Sequence, residues 1–295
     1  MIPPLALIIR TYVRKVNSKL CSKEAISHQT LERSGVLTYN PYMAKNKKKH
    51  SKLFKIFIAL LIALGVFELA AFGALAFYLS DYEHADANAE AAMKSGDGVQ
   101  VVKTDDWVEF TPPGGSELTT GIIFYPGGKV EYTAYAPLMR DFAEEGYFCA
   151  VVKMPFNLAL FDKNAAKDVR EAHPEMTNWI IGGHSLGGVV AANYAAISDF
   201  DGLFLLAAYP STDMSDKNIK TASAYGDADG ILNMDEYEAS KSNLPPDLAE
   251  YVIKGGNHSQ FGSYGLQEGD GKATISAEDQ RKQTVSFVLD TLIAD

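Results

Sequence analysis

The chain has 295 residues, of which 47% are hydrophobic and 22% charged, a composition that fits a globular domain with an apolar appendage and argues against a disordered chain. Residues 1–55 contain 12 Lys or Arg and 2 Asp or Glu, whereas residues 56–295 contain 15 and 35. Because this larger part is strongly acidic and would repel phosphates, we expect no nucleic-acid partner.

Residues 1–55 form a basic tail that we expect to lie in the cytoplasm. Its short apolar stretches have no sustained period and are too short to span a bilayer. A lysine-rich stretch begins at Met43, so we interpret Met43 as the start of translation, which would leave residues 1–42 untranslated. The alternative is that residues 1–42 are a disordered cytoplasmic extension.

Residues 56–79 are a run of 24 residues whose only charged member is Glu68. A helix rises about 1.5 Å per residue and the hydrocarbon core is about 30 Å thick, so this run can span a membrane with some tilt. The lysines before it and the Asp and Glu after it favour a cytoplasmic amino end, with the chain beyond residue 80 outside the cell membrane. A cleaved signal peptide is the alternative, but the run is longer than the apolar region of such peptides.

After a polar linker or short helix at residues 80–98, residues 99–295 have the length of one domain. Their apolar patterns predict alternating strands and helices, which indicates a mostly parallel α/β sheet with helices on both faces and an active site at the carboxyl ends of the strands. The first two strands are predicted to form a hairpin. Strands are predicted at 99–103, 107–111, 121–125, 147–153, 179–181, 202–208, 221–225 and 250–254, and helices at 133–145, at 162–172, directly after residue 185, at 234–242 and after Ser276.

The sequence Gly-His-Ser-Leu-Gly at residues 183–187 joins an apolar strand to a helix of small residues. This is the pattern of a nucleophile elbow, in which glycines make room for a tight turn that holds the serine in strained geometry. Ser185 is therefore the expected nucleophile, and the amide of Leu186 is expected to face the developing oxyanion. The five-residue pattern is weak by itself, and a glycine-rich turn without catalytic function is the alternative.

A serine hydroxyl needs a base within hydrogen-bond reach and a carboxylate that orients this base. His258 is the only histidine after the elbow and follows the last predicted strand directly, so we expect it to be the base. Asp227 and Asp229 both follow the preceding strand. We expect Asp229 to orient the base and Asp227 to cap the turn. His184, beside the nucleophile, is expected to pack beneath it.

Two further parts of the site are expected in loops that follow strands. Adjacent glycines at residues 126–129 let a backbone amide approach an oxyanion, so the amide of Gly128 or Lys129 is expected to complement that of Leu186, with a plain turn as the alternative. We expect neither a cofactor nor a metal.

Later loops contain side chains that either line an acyl pocket or pack within their own loops; these are Phe156, Asn157, Leu158, Tyr209 and Phe261.

Five blocks occur in a recognisable order: Tyr-Pro-Gly-Gly-Lys-Val-Glu at 125–131, Lys-Met-Pro-Phe-Asn-Leu at 153–158, Gly-His-Ser-Leu-Gly-Gly at 183–188, Gly-Asp-Ala-Asp-Gly at 226–230, and Gly-Gly-Asn-His-Ser-Gln-Phe-Gly at 255–262. Because of these five blocks, residues 99–295 resemble a small, lidless α/β-hydrolase of the dienelactone-hydrolase and carboxylesterase kind, as found in membrane-anchored bacterial hydrolases. The resemblance implies the α/β-hydrolase fold, the triad order Ser185, Asp229, His258, and hydrolysis of an ester-type bond. Dienelactone hydrolases themselves use a cysteine nucleophile, so their lactone chemistry is not implied.

The leading hypothesis is a serine hydrolase that cleaves the ester bond of a small acyl substrate through an acyl-enzyme, outside the membrane to which one amino-terminal helix anchors it. Only residues 209–220 separate two successive strands where larger relatives insert a cap, so the mouth of the site is expected to be open. One alternative is an acyltransferase or peptidase that acts on cell-envelope material with the same triad. Another is a non-catalytic anchored binding protein, which the complete triad disfavours.

Overall fold

A computed structural model of the protein describes residues 41–113 and 118–293. The part of the basic tail before residue 41 therefore lies outside the described residues. The chain divides into two compact units, Met1–Ala70 and Ala71–Asp295.

Helix α1 spans Pro41–Ser80 and includes the apolar run expected at residues 56–79. Its segment Lys52–Ser80 has a mean hydropathy of 2.5, and the side chains of its most apolar stretch are not buried. A helix that is apolar on every side is unfavourable in water and is typical of a membrane span. Among the described residues, α1 is the one helix that is long and apolar enough to cross a membrane.

Residues 81–98, expected to be a linker or short helix, are ordered within the second unit. Helix α2, Ala87–Ala92, begins after Asp86, whose carboxylate accepts hydrogen bonds from two amides of the first turn. Before it, Glu83 forms a parallel β-bridge with Val130. This stretch of chain is therefore held by hydrogen bonds to the folded domain.

A single eight-stranded sheet forms the core of the second unit. Its strands are β1 (Gln100–Lys103), β2 (Trp107–Thr111), β3 (Thr120–Tyr125), β4 (Phe148–Val152), β5 (Asn178–His184), β6 (Gly202–Leu206), β7 (Lys220–Gly226) and β8 (Ala249–Ile253). They lie in the order β1-β2-β4-β3-β5-β6-β7-β8. The hairpin of β1 and β2 and the pairing of β2 with β4 are antiparallel, whereas β3 to β8 pair in parallel. The predicted strands and the mostly parallel sheet are confirmed.

Helices cover both faces of this sheet. They are α3 (Ala136–Glu144), α4 (Ala165–Ala172), α5 (Leu186–Ala195), α6 (Met234–Ser240) and α7 (Ala277–Leu292). Helices α3 and α7 share a hydrophobic core with one face, and α4 and α5 share a second core with the other. Successive strand residues point to opposite faces. In β3, Ile122 and Phe124 therefore fill the first core, while Ile123 fills the second.

Two helices begin later than predicted. The helix expected at 133–145 starts as a 3-10 turn, Tyr132–Tyr135, and becomes α-helical at α3, whose first turn contains Pro137. Proline is tolerated there because the amide hydrogen that it lacks would have no partner in a first turn. The helix expected at 162–172 is limited to α4, because residues 162–164 form a turn that follows two separate 3-10 turns over residues 155–161.

Candidate active site

Ser185 lies in the sharp turn between β5 and α5, at the carboxyl edge of the sheet. Its φ and ψ angles are 51° and −126°, a left-handed conformation that costs a non-glycine residue about 1–3 kcal/mol. The glycines around it are required by close packing. A Cβ atom on Gly183 would lie 2.6 Å from the backbone of Gly187, and one on Gly187 would lie 2.2 Å from the carbonyl oxygen of Pro126. The local geometry is that of a nucleophile elbow.

Asp229 and His258 form a buried pair in the loops that follow β7 and β8. The Nδ1 atom of His258 lies 2.8 Å from Oδ2 of Asp229, and each side chain is 2% exposed. The other carboxylate oxygen accepts hydrogen bonds of 2.8 Å from the amides of Ile231 and Leu232. A carboxylate fixed in this way selects the tautomer with the proton on Nδ1 and leaves Nε2 of His258 free to accept a proton.

The loops of this pair and the elbow lie at the same edge of the sheet, because they follow the carboxyl ends of parallel strands. The ring of His184, one residue before the expected nucleophile, lies 4.4 Å from the ring of His258 between centroids. Asp227 has a different position: its carboxylate accepts a hydrogen bond of 2.6 Å from the amide of Gly255 and thereby joins the loops after β7 and β8. The geometry favours Asp229 over Asp227 as the partner of His258.

The two amides proposed to complement Leu186 differ in their hydrogen bonds. The amide of Lys129 donates to the carbonyl oxygen of Asn157 at 2.8 Å, so it is already engaged. The amide of Gly128 has no acceptor among the described residues. A Cβ atom on Gly128 would lie 2.8 Å from Cδ2 of Leu186, so the two amide-bearing loops touch. The geometry therefore favours Gly128 over Lys129 as the second donor.

The sequence profile of the Alpha/beta hydrolase family matches residues 121–282. The chain belongs to the alpha/beta hydrolase family. In agreement, its second unit has the α/β-hydrolase fold, and similar folds occur in solved structures. One is a thermostable esterase from Pseudomonas putida, with 14% identity and a TM-score of 0.51 over 70% of this chain and 88% of that one. Another is carboxyl esterase 2 from the mycorrhizal fungus Tuber melanosporum, with 13% identity and a TM-score of 0.52 over 72% and 91%. No curated protein sequence matches the chain.

A buried network beneath the elbow of this α/β-hydrolase was not foreseen from the sequence. The hydroxyl of Tyr135 accepts a hydrogen bond of 3.0 Å from the amide of Gly127 and shares another of 2.8 Å with Nδ1 of His184. Burial, reinforced by the neighbouring His258, holds the pKa of His184 well below its usual range, so its ring is neutral. The network joins the glycine loop after β3 to the elbow, and His184 lies buried beneath the candidate nucleophile.

Asp270 is a second residue that sequence reasoning missed. Its carboxylate accepts hydrogen bonds from the amides of Gly230, His258 and Ser259 at 3.1, 3.3 and 2.8 Å, and from the hydroxyl of Ser259 at 2.6 Å. Burial opposes its ionisation, but these hydrogen bonds, above all that from Ser259, hold the pKa of Asp270 below its usual value. An ionised Asp270 thus holds the two loops of the Asp229–His258 pair together.

The five side chains expected in an acyl pocket do not form one common wall. Phe156 and Asn157 line an open cavity of ≈ 380 Å³ beside the glycine loop. Leu158 lies next to Gly128, with its Cδ2 atom 3.6 Å from the position of an added Cβ. Tyr209 is half-buried in the loop after β6. Phe261 is 1% exposed and its ring lies 5.6 Å from that of His184, so it belongs to the core beneath the site.

Within the residues that the structure describes, no group of three His, Cys, Asp or Glu side chains is arranged to hold a metal ion. The side chains at the candidate site are those of the elbow, the Asp229–His258 pair and their supporting loops. They can provide a nucleophile, a base and two amide donors for a developing negative charge.

Proposed function

We propose that the protein is a serine hydrolase that cleaves an ester-type bond of a small acyl substrate, with Ser185 as nucleophile, His258 as base and Asp229 as its orienting partner. The observation that supports this best is the strained Ser185, with φ of 51°, at the same sheet edge as the 2.8 Å pair of Asp229 and His258. A buried carboxylate–imidazole pair next to an elbow serine is the arrangement that activates a hydroxyl group.

In the first half-reaction the hydroxyl oxygen of Ser185 attacks the carbonyl carbon of the ester, and Nε2 of His258 takes the hydroxyl proton. The carbonyl oxygen becomes an oxyanion and accepts hydrogen bonds from the amides of Leu186 and Gly128. The tetrahedral intermediate then collapses, the C–O bond to the alcohol breaks, and His258 gives its proton to the leaving oxygen. An acyl-Ser185 ester remains.

In the second half-reaction water attacks the acyl-enzyme, and His258 takes a proton from this water. The oxyanion forms again at the same amides, the bond to Ser185 breaks, and the proton returns to the serine oxygen. The carboxylate of Asp229 stabilises the imidazolium in both steps, because its Oδ1 is held by the amides of Ile231 and Leu232 and cannot turn away.

We also propose that α1 is an uncleaved membrane anchor with its lysine-rich amino end in the cytoplasm and the hydrolase domain outside. Six lysines between residues 45 and 55 precede the apolar run, and such positive charge favours the cytoplasmic side. Protease added to intact cells should then degrade the domain, while carbonate-washed membranes retain the full chain. Domain that is protected in intact cells would contradict the orientation.

The test of the chemistry is labelling of the purified full chain with a fluorophosphonate, followed by assays on matched esters and amides. Ser185→Ala should abolish labelling and lower kcat on a model ester by a factor of about 10⁵, because attack and proton transfer act as one unit. The matched control is Ser242→Ala, since Ser242 is an exposed serine in the 3-10 turn that follows α6. Labelling that persists in Ser185→Ala, or amide turnover that exceeds ester turnover, would contradict the proposal.

A further inference from the structure

Three large apolar side chains stand exposed at the catalytic edge of the sheet, in the loop after β4. We call Phe156, Leu160 and Phe161 the apolar rim; they are 58%, 52% and 61% exposed. The rings of Phe156 and Phe161 contact each other edge to face, with 5.6 Å between centroids. Exposed apolar clusters of this kind mark surfaces that bind another apolar surface.

The loop holds the rim outward at a cost in backbone energy. Phe156 and Asn157 both have positive φ, at 56° and 54°, and this conformation is unfavourable for a bulky side chain such as that of Phe156. The conformation is fixed by hydrogen bonds from the amides of Asn157 and Leu158 to Met154 and Pro155, and by the bond from Lys129 to Asn157. Because strain of this kind persists only where the surroundings enforce it, the exposure of the rim is a built feature of the loop.

The carboxyl end of α1 contacts the glycine loop after β3, which is itself hydrogen-bonded to the loop of the apolar rim through Lys129 and Asn157. The ammonium group of Lys129 lies 2.8 Å from the carboxylate of Asp81 and 4.6 Å from the ring centre of Tyr78, in the last turn of the helix. Glu83 pairs with this glycine loop. Its amide donates a hydrogen bond of 2.7 Å to the carbonyl oxygen of Lys129, and its carbonyl oxygen accepts one of 2.9 Å from the amide of Glu131. Tyr82, two residues after the helix ends, lines the ≈ 380 Å³ cavity together with Phe156.

We propose that the apolar rim inserts into the surface of the bilayer that α1 crosses, so that the candidate site opens at the membrane–water interface. The inference rests on the anchoring proposed above: if the span ends at Ser80, the membrane surface lies next to Asp81, and Asp81 is bound to the loop that adjoins the rim. Phe and Leu are side chains that partition into this interfacial zone.

The net charge of the domain indicates whether electrostatic attraction or apolar burial would hold the rim at the membrane surface. Residues 56–295 contain 15 Lys or Arg and 35 Asp or Glu, so anionic lipid headgroups would repel it. The contact therefore depends on burial of apolar side chains and is insensitive to salt. A substrate that fits both this placement and the proposed function is an ester of a small acyl group that is carried at the membrane surface.

The experiment uses the full chain reconstituted in phosphatidylcholine vesicles, with Phe161→Trp as a fluorescent probe of the rim. The matched control is Ile197→Trp, because Ile197 is 77% exposed and follows α5 near the amino ends of the strands, opposite the catalytic edge. Fluorescence of the unsubstituted chain, which contains two tryptophans, is subtracted. Interfacial side chains lie about 5–10 Å into the headgroup and acyl boundary, so brominated phosphatidylcholine should remove about half or more of the signal of Phe161→Trp and leave that of Ile197→Trp.

Equal quenching of the two probes in chains that float with the vesicles would overturn the proposal. So would a change at Phe161→Trp that depends on protein concentration and not on brominated lipid, since a second copy of the chain would then cover the rim. Chains that do not float would refute the anchoring as well. The readout needs no turnover, so a failure of the proposed ester hydrolysis is detected separately, by the fluorophosphonate test.

Discussion

Six non-glycine residues among those described have positive φ, and five of them lie at the carboxyl ends of consecutive strands. Such conformations are unfavourable and persist mainly where the surrounding structure requires them. In this protein they follow β3, β4, β5 and β6, the same edge at which the candidate site lies. The five are Lys129, Phe156, Asn157, Ser185 and Ala207. Four of these five residues lie outside the Gly-His-Ser-Leu-Gly motif, so backbone strain indicates the same edge as the candidate site without depending on the motif alone.

The assignment of the orienting carboxylate is tested by two substitutions that change the same type of side chain. Asp229→Asn should lower kcat on a model ester by a factor of about 10⁴, because an amide mis-sets the tautomer of the imidazole. Asp227→Asn is the matched control and should cost far less, since Asp227 binds only the amide of Gly255 in the described structure. Steady-state kinetics of both variants decide between them, and the reverse ranking would assign the role to Asp227.

The neutral state of His184 predicts a pH dependence of stability. Its pKa is lowered in the folded protein by burial and by His258, so the unfolded chain binds more protons once the pH falls below the ordinary value of about 6.5. The contribution to the free energy of unfolding is therefore present above that pH and is lost as the pH falls below it. Urea unfolding at pH 7 and pH 5 should show a smaller loss for His184→Gln than for the unsubstituted protein. Identical losses would show that His184 is not a source of the acid sensitivity.

At the scale of the elements, the close contact of α5 with the end of β3 is what presents the elbow. A Cβ atom on Gly187 would lie 2.2 and 2.3 Å from the carbonyl oxygens of Pro126 and Tyr125, which are backbone atoms and cannot swing aside. Gly187→Ala should therefore lower the stability by about 1–3 kcal/mol or more and displace the elbow. Thermal unfolding and ester turnover measure the two effects.

The control for this substitution is Gly96→Ala, because a Cβ atom at Gly96 meets nothing within 4 Å. Its stability and turnover should match those of the unsubstituted protein. A Gly187→Ala variant that behaves like this control would show that α5 can shift without disturbing the site.

The strands were predictable because their buried residues form apolar runs that the sequence displays directly. β4, for example, is buried along its whole length. Helix starts were less predictable, since residues 162–164, which were expected to be helical, form a turn whose conformation depends on the loop around them. The α/β sheet, its hairpin and its helices on both faces follow from the pattern, whereas the ends of the elements depend on local packing.

The parts of the site that escaped prediction are those that depend on contacts between distant loops. Asp270 lies in a segment without any periodic pattern, and its bonds to His258 and Gly230 arise only when three loops meet. The choice between Gly128 and Lys129 likewise depends on a single bond to Asn157 from another loop. Motifs indicate which residue types are present at the site, but not which amides are already occupied.

At the scale of the whole molecule, the open mouth expected for the candidate site predicts a limit on substrate size. Each methylene that is buried contributes about 0.8 kcal/mol, so the gain ends where the acyl chain emerges into water. With soluble p-nitrophenyl esters, kcat/KM should peak at acyl chains of about two to six carbons, because the connection between β6 and β7 is too short to hold a cap and Leu158 is the apolar contact at the glycine loop.

Leu158→Ala should weaken selectivity among short acyl chains with little change in thermal stability, whereas Phe261→Ala should act on stability, since Phe261 is buried. Initial rates over a graded ester series measure the first effect and thermal unfolding the second. A kcat/KM that keeps rising to about twelve carbons would require a deep apolar groove, and each added methylene would then contribute its full transfer free energy.

The β-bridge between Glu83 and Val130 ties residues 81–98 to the hydrolase domain, so these residues belong to this domain and not to helix α1. Where a flexible linker joins a domain to a membrane helix, the helix can be replaced by another apolar helix without loss of contacts in the domain. Here a foreign helix joined at residue 81 keeps the bonds to the glycine loop, while one joined at residue 99 loses them together with the bond from Asp86 to Ser263. Comparison of ester turnover by two such chimeras would measure the difference. Residues 81–98 should therefore be inherited with the hydrolase and not with the anchor.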